Sequence, residues 1–120
     1  MKVAVTARSE GASAPIDPRF GRAAWFVIVD TESGEVHSID NQAGVNAAQG
    51  AGTQAVQAIA AQGVQRLVTG DVGPKAFFAL QAAGIEPFIG ASGTVSSAVE
   101  ALLEEKLQQA SAPTRMGHGR

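Results

Sequence analysis

An α/β fold, with a mixed sheet flanked by helices, is what this sequence predicts, and three observations carry it. Alternating and continuous apolar strand patterns crowd the first 40 residues. Helical apolar spacing then alternates with short strands in the second half. A Gly cap sits between helix and strand at the same offset twice, Gly63-Val64 before Leu67-Val68 and Gly84-Ile85 before Phe88-Ile89. The expected order is β-β-β-α-β-α-β-α, a five-stranded sheet with an antiparallel start and a parallel finish joined by right-handed crossovers.

The first strand is read from Val3, Val5 and Ala7 on one face against Ala4 and Thr6 on the other. Arg8 to Arg22 breaks the pattern: it is polar, rich in Gly and Ser, and Pro15 and Pro18 forbid a regular helix. Loops of that length in a small domain are more often functional than connective. Ala24 to Val29 is a continuous apolar run, suited to a strand inside the sheet. The polar turn Asp30-Thr31-Glu32-Ser33-Gly34-Glu35 leads into alternating Val36 to Asp40, a hairpin partner. Asn41 to Gly52 reads as loop, and Ala55, Val56, Ile59 and Ala60 then recur at helical spacing up to Gly63. Leu67-Val68 is a short strand, Pro74 to Ala83 a helix with Pro at its first position, Phe88-Ile89 a strand, and Val95 to about Gln108 a helix. One domain over residues 1–108 and a flexible tail over 109–120 are expected.

The chain has 120 residues, a formal charge of −2 and no cysteine. One domain of this size buries about two thirds of the surface its unfolded chain exposes. The mildly acidic balance gives no general field for a polyanion, so nucleic acid is not an expected partner. Without cysteine there are no disulfides, thiolate nucleophiles or thiolate-held clusters. No apolar run approaches the ~18 residues of a membrane span, and the start reads as a strand, so a cytoplasmic protein without membrane partners is expected.

With this strand order, four loops meet at one sheet edge: Arg8 to Arg22, Asn41 to Gly52, Gly70 to Lys75 and Gly90 to Thr94. Three helix N-termini point there, preceded by Gly50 and Gly52, Gly70 and Gly73, and Gly90 and Gly93. Their unpaired N–H groups attract anions, with Arg19, Arg22 and Lys75 adding charge. The same glycines also serve tight strand-to-helix turns, and none forms a phosphate loop or dinucleotide fingerprint. Asp17-Pro18-Arg19-Phe20-Gly21-Arg22 is the densest chemistry-bearing cluster: two guanidiniums that can clamp an anion, Asp17 orienting one of them. Alternatively Asp17 caps the turn, Phe20 plugs the core and the arginines pair with surface acids. His37, on the third strand, and His118, in the tail, are the candidate metal ligands. Carboxylates form no dyad and no nucleophile elbow occurs, so no enzyme is expected.

The sequence resembles the dinitrogenase iron-molybdenum cofactor biosynthesis family of NifX, NafY and NifB C-terminal type, from Lys2 to about Leu107. The likeness rests on Asp17 to Ala23 with Trp25-Phe26, on Asn41, Gly50-Ala51-Gly52, Val68 to Ala76 and Gly93-Thr94-Val95. It implies a ribonuclease H-like three-layer fold and a non-catalytic binding or carrier role for an iron-sulfur or iron-molybdenum cluster or its precursor, held transiently, with a cofactor-assembly or acceptor protein as partner. Together with the anion-attracting edge, the expected binding set is Asp17, Arg19, Phe20, Gly21, Arg22, Asn41, Gly52, Gly70, Gly73, Lys75, Gly93 and Thr94. Arg19 stands where some relatives carry His, and the tail offers only His118, which leaves capture by Arg and backbone N–H groups. A binding module for another small anion, a partner-docking domain and, by fold analogy alone, a metal-dependent nuclease are the alternatives.

Overall fold

The computed structural model describes residues 1–47 and 50–114. Strands β1 (Lys2–Ala7), β2 (Trp25–Asp30), β3 (Val36–Asp40), β4 (Arg66–Val68), β5 (Glu86–Ile89) and β6 (Gln108–Gln109) form one sheet in the order β3-β2-β1-β4-β5-β6. β1, β4 and β5 run parallel, while β2 is antiparallel to both β1 and β3, and β6 is antiparallel to β5. Helices α1 (Gln42–Val45), α2 (Ala51–Ala60), α3 (Pro74–Ala83) and α4 (Val95–Leu103) are the helices among the described residues.

The period-2 pattern of β1 splits the core in two. Ala4, with Phe26, Ile28 and Leu67, faces α2 and α3, whereas Val3, Val5 and Ala7, with Val27 and Val68, face α4 and the segment around Ala14 and Ile16. β1 is therefore buried on both faces, and its C-terminal end opens onto the same edge as those of β3, β4 and β5.

The structure corrects the sequence reading in three places. The sheet has six strands, not five. The last helix stops at Leu103, not near Gln108. A short helix, α1, lies inside the stretch read as loop from Asn41 to Gly52. The early stop has a local cause: the Lys106 N–H bonds to the Ala101 carbonyl (2.9 Å) and the Glu105 N–H to that of Leu102 (3.1 Å). This is a Schellman cap. Its left-handed position, usually Gly, is filled by Glu105 at φ 60°, so no glycine advertises the stop. The chain then reverses into β6, and Ala110 is buried at 6% exposure. Beyond β6, Ala110 and Thr114 are tied to the domain through the carbonyls of Pro87 and Val72. Because a side chain at this φ costs about 1–2 kcal/mol, Glu105→Gly should raise stability by about 0.5–1 kcal/mol after glycine's entropic cost. Urea unfolding reads this directly, and an unchanged or lower midpoint would contradict it.

Candidate functional site

The segment from Arg8 to Arg22 is bonded to its neighbours along its length. The Ile16 N–H donates to the Gly93 carbonyl (2.9 Å), and the Asp71 N–H to that of Pro18 (3.0 Å). Below it, the buried Thr6 hydroxyl donates to the Asp17 carbonyl (2.5 Å) and lies 2.9 Å from that of Thr69. Gly70 packs flat against Pro18, where an added Cβ would come within 2.6 Å of the proline Cβ and 2.7 Å of its Cα. Only glycine allows that approach.

Within the Asp17–Arg22 cluster, side chains divide between scaffolding and the surface. Asp17 is buried, and its carboxylate accepts from the Arg19 backbone N–H (3.0 Å) and from the guanidinium Nε and Nη2 (both 3.2 Å). That hydrogen bond first, and the charge second, raise the Arg19 pKa from its ordinary value. Phe20 is in the core, its ring 5.8 Å from that of Phe26. Asn41 is also buried, donating from Nδ2 to the carbonyls of Gly21 (3.1 Å) and Ala23 (2.8 Å). Asp17 and Asn41 thus fix the backbone on either side of Gly21. Arg22 is half-buried and its Nη1 donates among the carbonyls of Ala47 (2.5 Å), Gly44 (3.3 Å) and Val45 (3.4 Å), at the C-terminal end of α1. Its Nε and Nη2 have no acceptor among the described residues.

These supports leave an open cleft of about 460 Å³ lined by Phe20, Gly21 and Arg22 on one side and by the first turns of α2 and α3 on the other. From the helices come Gly50, Ala51 and Gly52, then Gly73, Pro74, Lys75 and Ala76. Small residues make the convergence: a Cβ on Gly21 would stand 2.8 Å from the Gly52 nitrogen, and one on Gly52 2.9 Å from the Ala76 Cβ. Neither helix has a side-chain N-cap. Among the described residues, nothing accepts from the N–H groups of Ala51, Gly52, Thr53, Lys75 or Ala76, and no carboxylate lines the cleft. Unpaired donors, two helix dipoles and the charges of Arg22 and Lys75 together make it locally positive in a chain of net charge −2.

The third expected N-terminus behaves differently. In α4 the Thr94 hydroxyl accepts from Ser97 N–H in a capping box, and the Val95 and Ser96 N–H groups donate to Ala14 (2.9 Å) and Ala12 (2.8 Å). Its donors are spent on the fold. Gly93 and Thr94 accordingly lie at the seam between α4 and the Arg8–Arg22 segment, and Gly70 and Arg19 lie beside the cleft without lining it. His37 is exposed on β3 opposite Ile28, in a separate groove with Lys2, Asp30 and Glu35. His118 lies outside the described residues. Among those residues no three His, Asp or Glu side chains gather as a metal site, and no helix is long and apolar enough to cross a membrane.

Lining residues outside the expected set are Gly50, Ala51, Pro74 and Ala76. Their signal in the sequence is a run of small residues at two adjacent helix starts, which carries no chemistry of its own until the helices are placed side by side.

Comparison with known proteins shows the family of the chain. The family described as dinitrogenase iron-molybdenum cofactor matches residues 1–105. An uncharacterised protein of Methanocaldococcus jannaschii is 32% identical over 97 residues, 78% of this chain and 81% of that protein. The apo form of the orange protein from Desulfovibrio gigas superposes with a TM-score of 0.93 at 43% identity, covering 95% of this chain and 96% of that one. A putative NifB protein from Thermotoga gives 0.83 at 36%, covering 95% and 97%.

Proposed function

The chain belongs to the dinitrogenase iron-molybdenum cofactor family, and from that premise we propose that it is a non-catalytic carrier whose cargo is an anionic iron-sulfur or iron-molybdenum type cluster, or a precursor of one. The observation that carries this reading is the shared cleft of α2 and α3: two glycine-lined helix N-termini that, among the described residues, have no side-chain cap, with Arg22 and Lys75 at its walls and no carboxylate among the described lining residues. Sulfide- and oxide-rich cargo is polyanionic and offers many acceptors. Backbone N–H groups, a guanidinium and an ammonium supply donors for it.

The chain contains no cysteine. Capture therefore runs through hydrogen bonds and charge, with no metal–thiolate bond to break on release. That suits transient holding and transfer to an acceptor or cofactor-assembly protein. Glycines at the wall let the cargo approach the backbone donors closely, and Phe20, fixed in the core beneath, keeps the floor rigid.

Molybdate is the simplest probe of the cleft. At one hundred times its dissociation constant it should stabilise the protein by about 2.7 kcal/mol, read as a rise in the melting temperature. Chloride at equal ionic strength should leave the melt unchanged. An identical shift with both salts, or none with molybdate, would contradict the reading.

A further inference from the structure

The C-terminal strap Gln108–Thr114 reaches Val72, one residue before the cleft-lining Gly73. After β6 the chain buries Ala110, whose N–H donates to the Pro87 carbonyl (2.9 Å), and four residues later Thr114 meets Val72. The contact has three hydrogen bonds, the longest from the Thr114 hydroxyl to the Val72 carbonyl (3.4 Å). The Val72 N–H donates to Thr114 Oγ1 (2.7 Å), and the Thr114 N–H donates to the Val72 carbonyl (2.9 Å). Val72 is fully buried and immediately precedes Gly73, the N-cap of α3.

Gly73 has no side chain to fix the first turn, and its carbonyl already accepts from Phe77 N–H (2.9 Å). The peptide joining Val72 and Gly73 is thus oriented from upstream, and both polar groups of Val72 are held by one residue of a distant segment. Lys75 and Ala76, whose N–H groups face the cleft, follow within four residues in the first turn of α3. Backbone hydrogen bonds supply the sheet and helices of this fold; this contact joins Thr114 to the residue before the N-cap of α3.

We infer that the strap Gln108–Thr114 controls the cleft, with Thr114 as a positioning residue for the α3 donors, so that strap docking and anion binding favour each other. The inference rests on the carrier reading of that cleft. Coupling of this kind is reciprocal: whatever factor the docked strap adds to anion affinity, bound anion adds to strap docking.

The test compares Thr114→Val, which keeps the shape and removes the acceptor, with Thr114→Ser, which keeps it; Thr114→Ala serves if the valine variant is poorly folded. In the ligand-free full chain, amide NMR should show Thr114→Val moving the Gly73, Lys75 and Ala76 resonances and speeding Val72 amide exchange at least tenfold, with Thr114→Ser close to the parent. Unmoved Lys75 and Ala76 resonances would overturn the positioning role. With molybdate as probe, Thr114→Val should weaken binding about fivefold well below its melting temperature, and saturating molybdate should slow Val72 exchange in the parent by a similar factor. Equal dissociation constants for parent and Thr114→Val would overturn the coupling. If the parent binds no molybdate, the carrier reading fails on that result, and the ligand-free comparison still decides the role of Thr114.

Discussion

Replacing Arg22 and Lys75 together by alanine should weaken molybdate binding by about 30-fold or more. The half-buried Arg22 contributes about 1.5 kcal/mol through a charged hydrogen bond, and the exposed, screened Lys75 about 0.5–1 kcal/mol. At 1.4 kcal/mol per tenfold these sum to between one and two decades. Arg19→Ala is the informative contrast. Its guanidinium is engaged with Asp17 and does not line the cleft, so its loss should change affinity less than about threefold. Calorimetric titration of the three proteins separates these cases. Equal losses from Arg19→Ala and the double variant would mean that the anion sits on the Asp17–Arg19 side instead.

Gly70→Ala should cost about 3 kcal/mol and roughly 10 °C in melting temperature. The new Cβ would press on Pro18 Cβ, Cα and carbonyl oxygen at 2.6 to 2.8 Å. These are backbone-fixed atoms and cannot rotate away. Relief requires the Pro18 segment to lift, breaking the bond from Asp71 N–H to the Pro18 carbonyl. That segment also carries Phe20 and Gly21, so loss of stability and loss of anion binding should come together. A melt within 2 °C of the parent, by scanning calorimetry, would show that the segment shifts without cost.

How much of this could be read in the sequence depends on where the physical signal lies. The strands β1 to β3 and helix α3 show it locally, in alternation, in the continuous run through Phe26 to Val29, and in Pro74 and Gly84 at the two ends of α3. The meeting of the four loops follows from strand order alone. By contrast, β6 is two glutamines with no apolar pattern, held by its pairing to β5, and Glu105 takes a glycine's conformation without being one. The cluster Asp17 to Arg22 was visible as chemistry, and the reading in which Asp17 caps the turn and Phe20 plugs the core holds. Among the described residues, however, the arginines do not pair with surface acids: Arg19 pairs with the buried Asp17 and Arg22 with carbonyls at the end of α1. Asp17 and Asn41 spend their polar groups on the backbone around Gly21 only because the fold brings residues 17, 21 and 41 together. The difference between the N-termini of α3 and α4 was equally hidden, since Gly-x-x-Gly precedes both. What distinguishes them is that Ala12 and Ala14 reach α4 and consume its donors.

The central claim is a location: an anion held between the first turns of α2 and α3. Amide NMR during a molybdate titration tests it most directly. The account predicts saturable shifts concentrated at Gly21, Gly52, Thr53, Lys75 and Ala76, with Val95 and Ser96 of α4 unmoved. Shifts centred instead on Lys2 and His37 at the other groove, or spread evenly over surface amides, would contradict it.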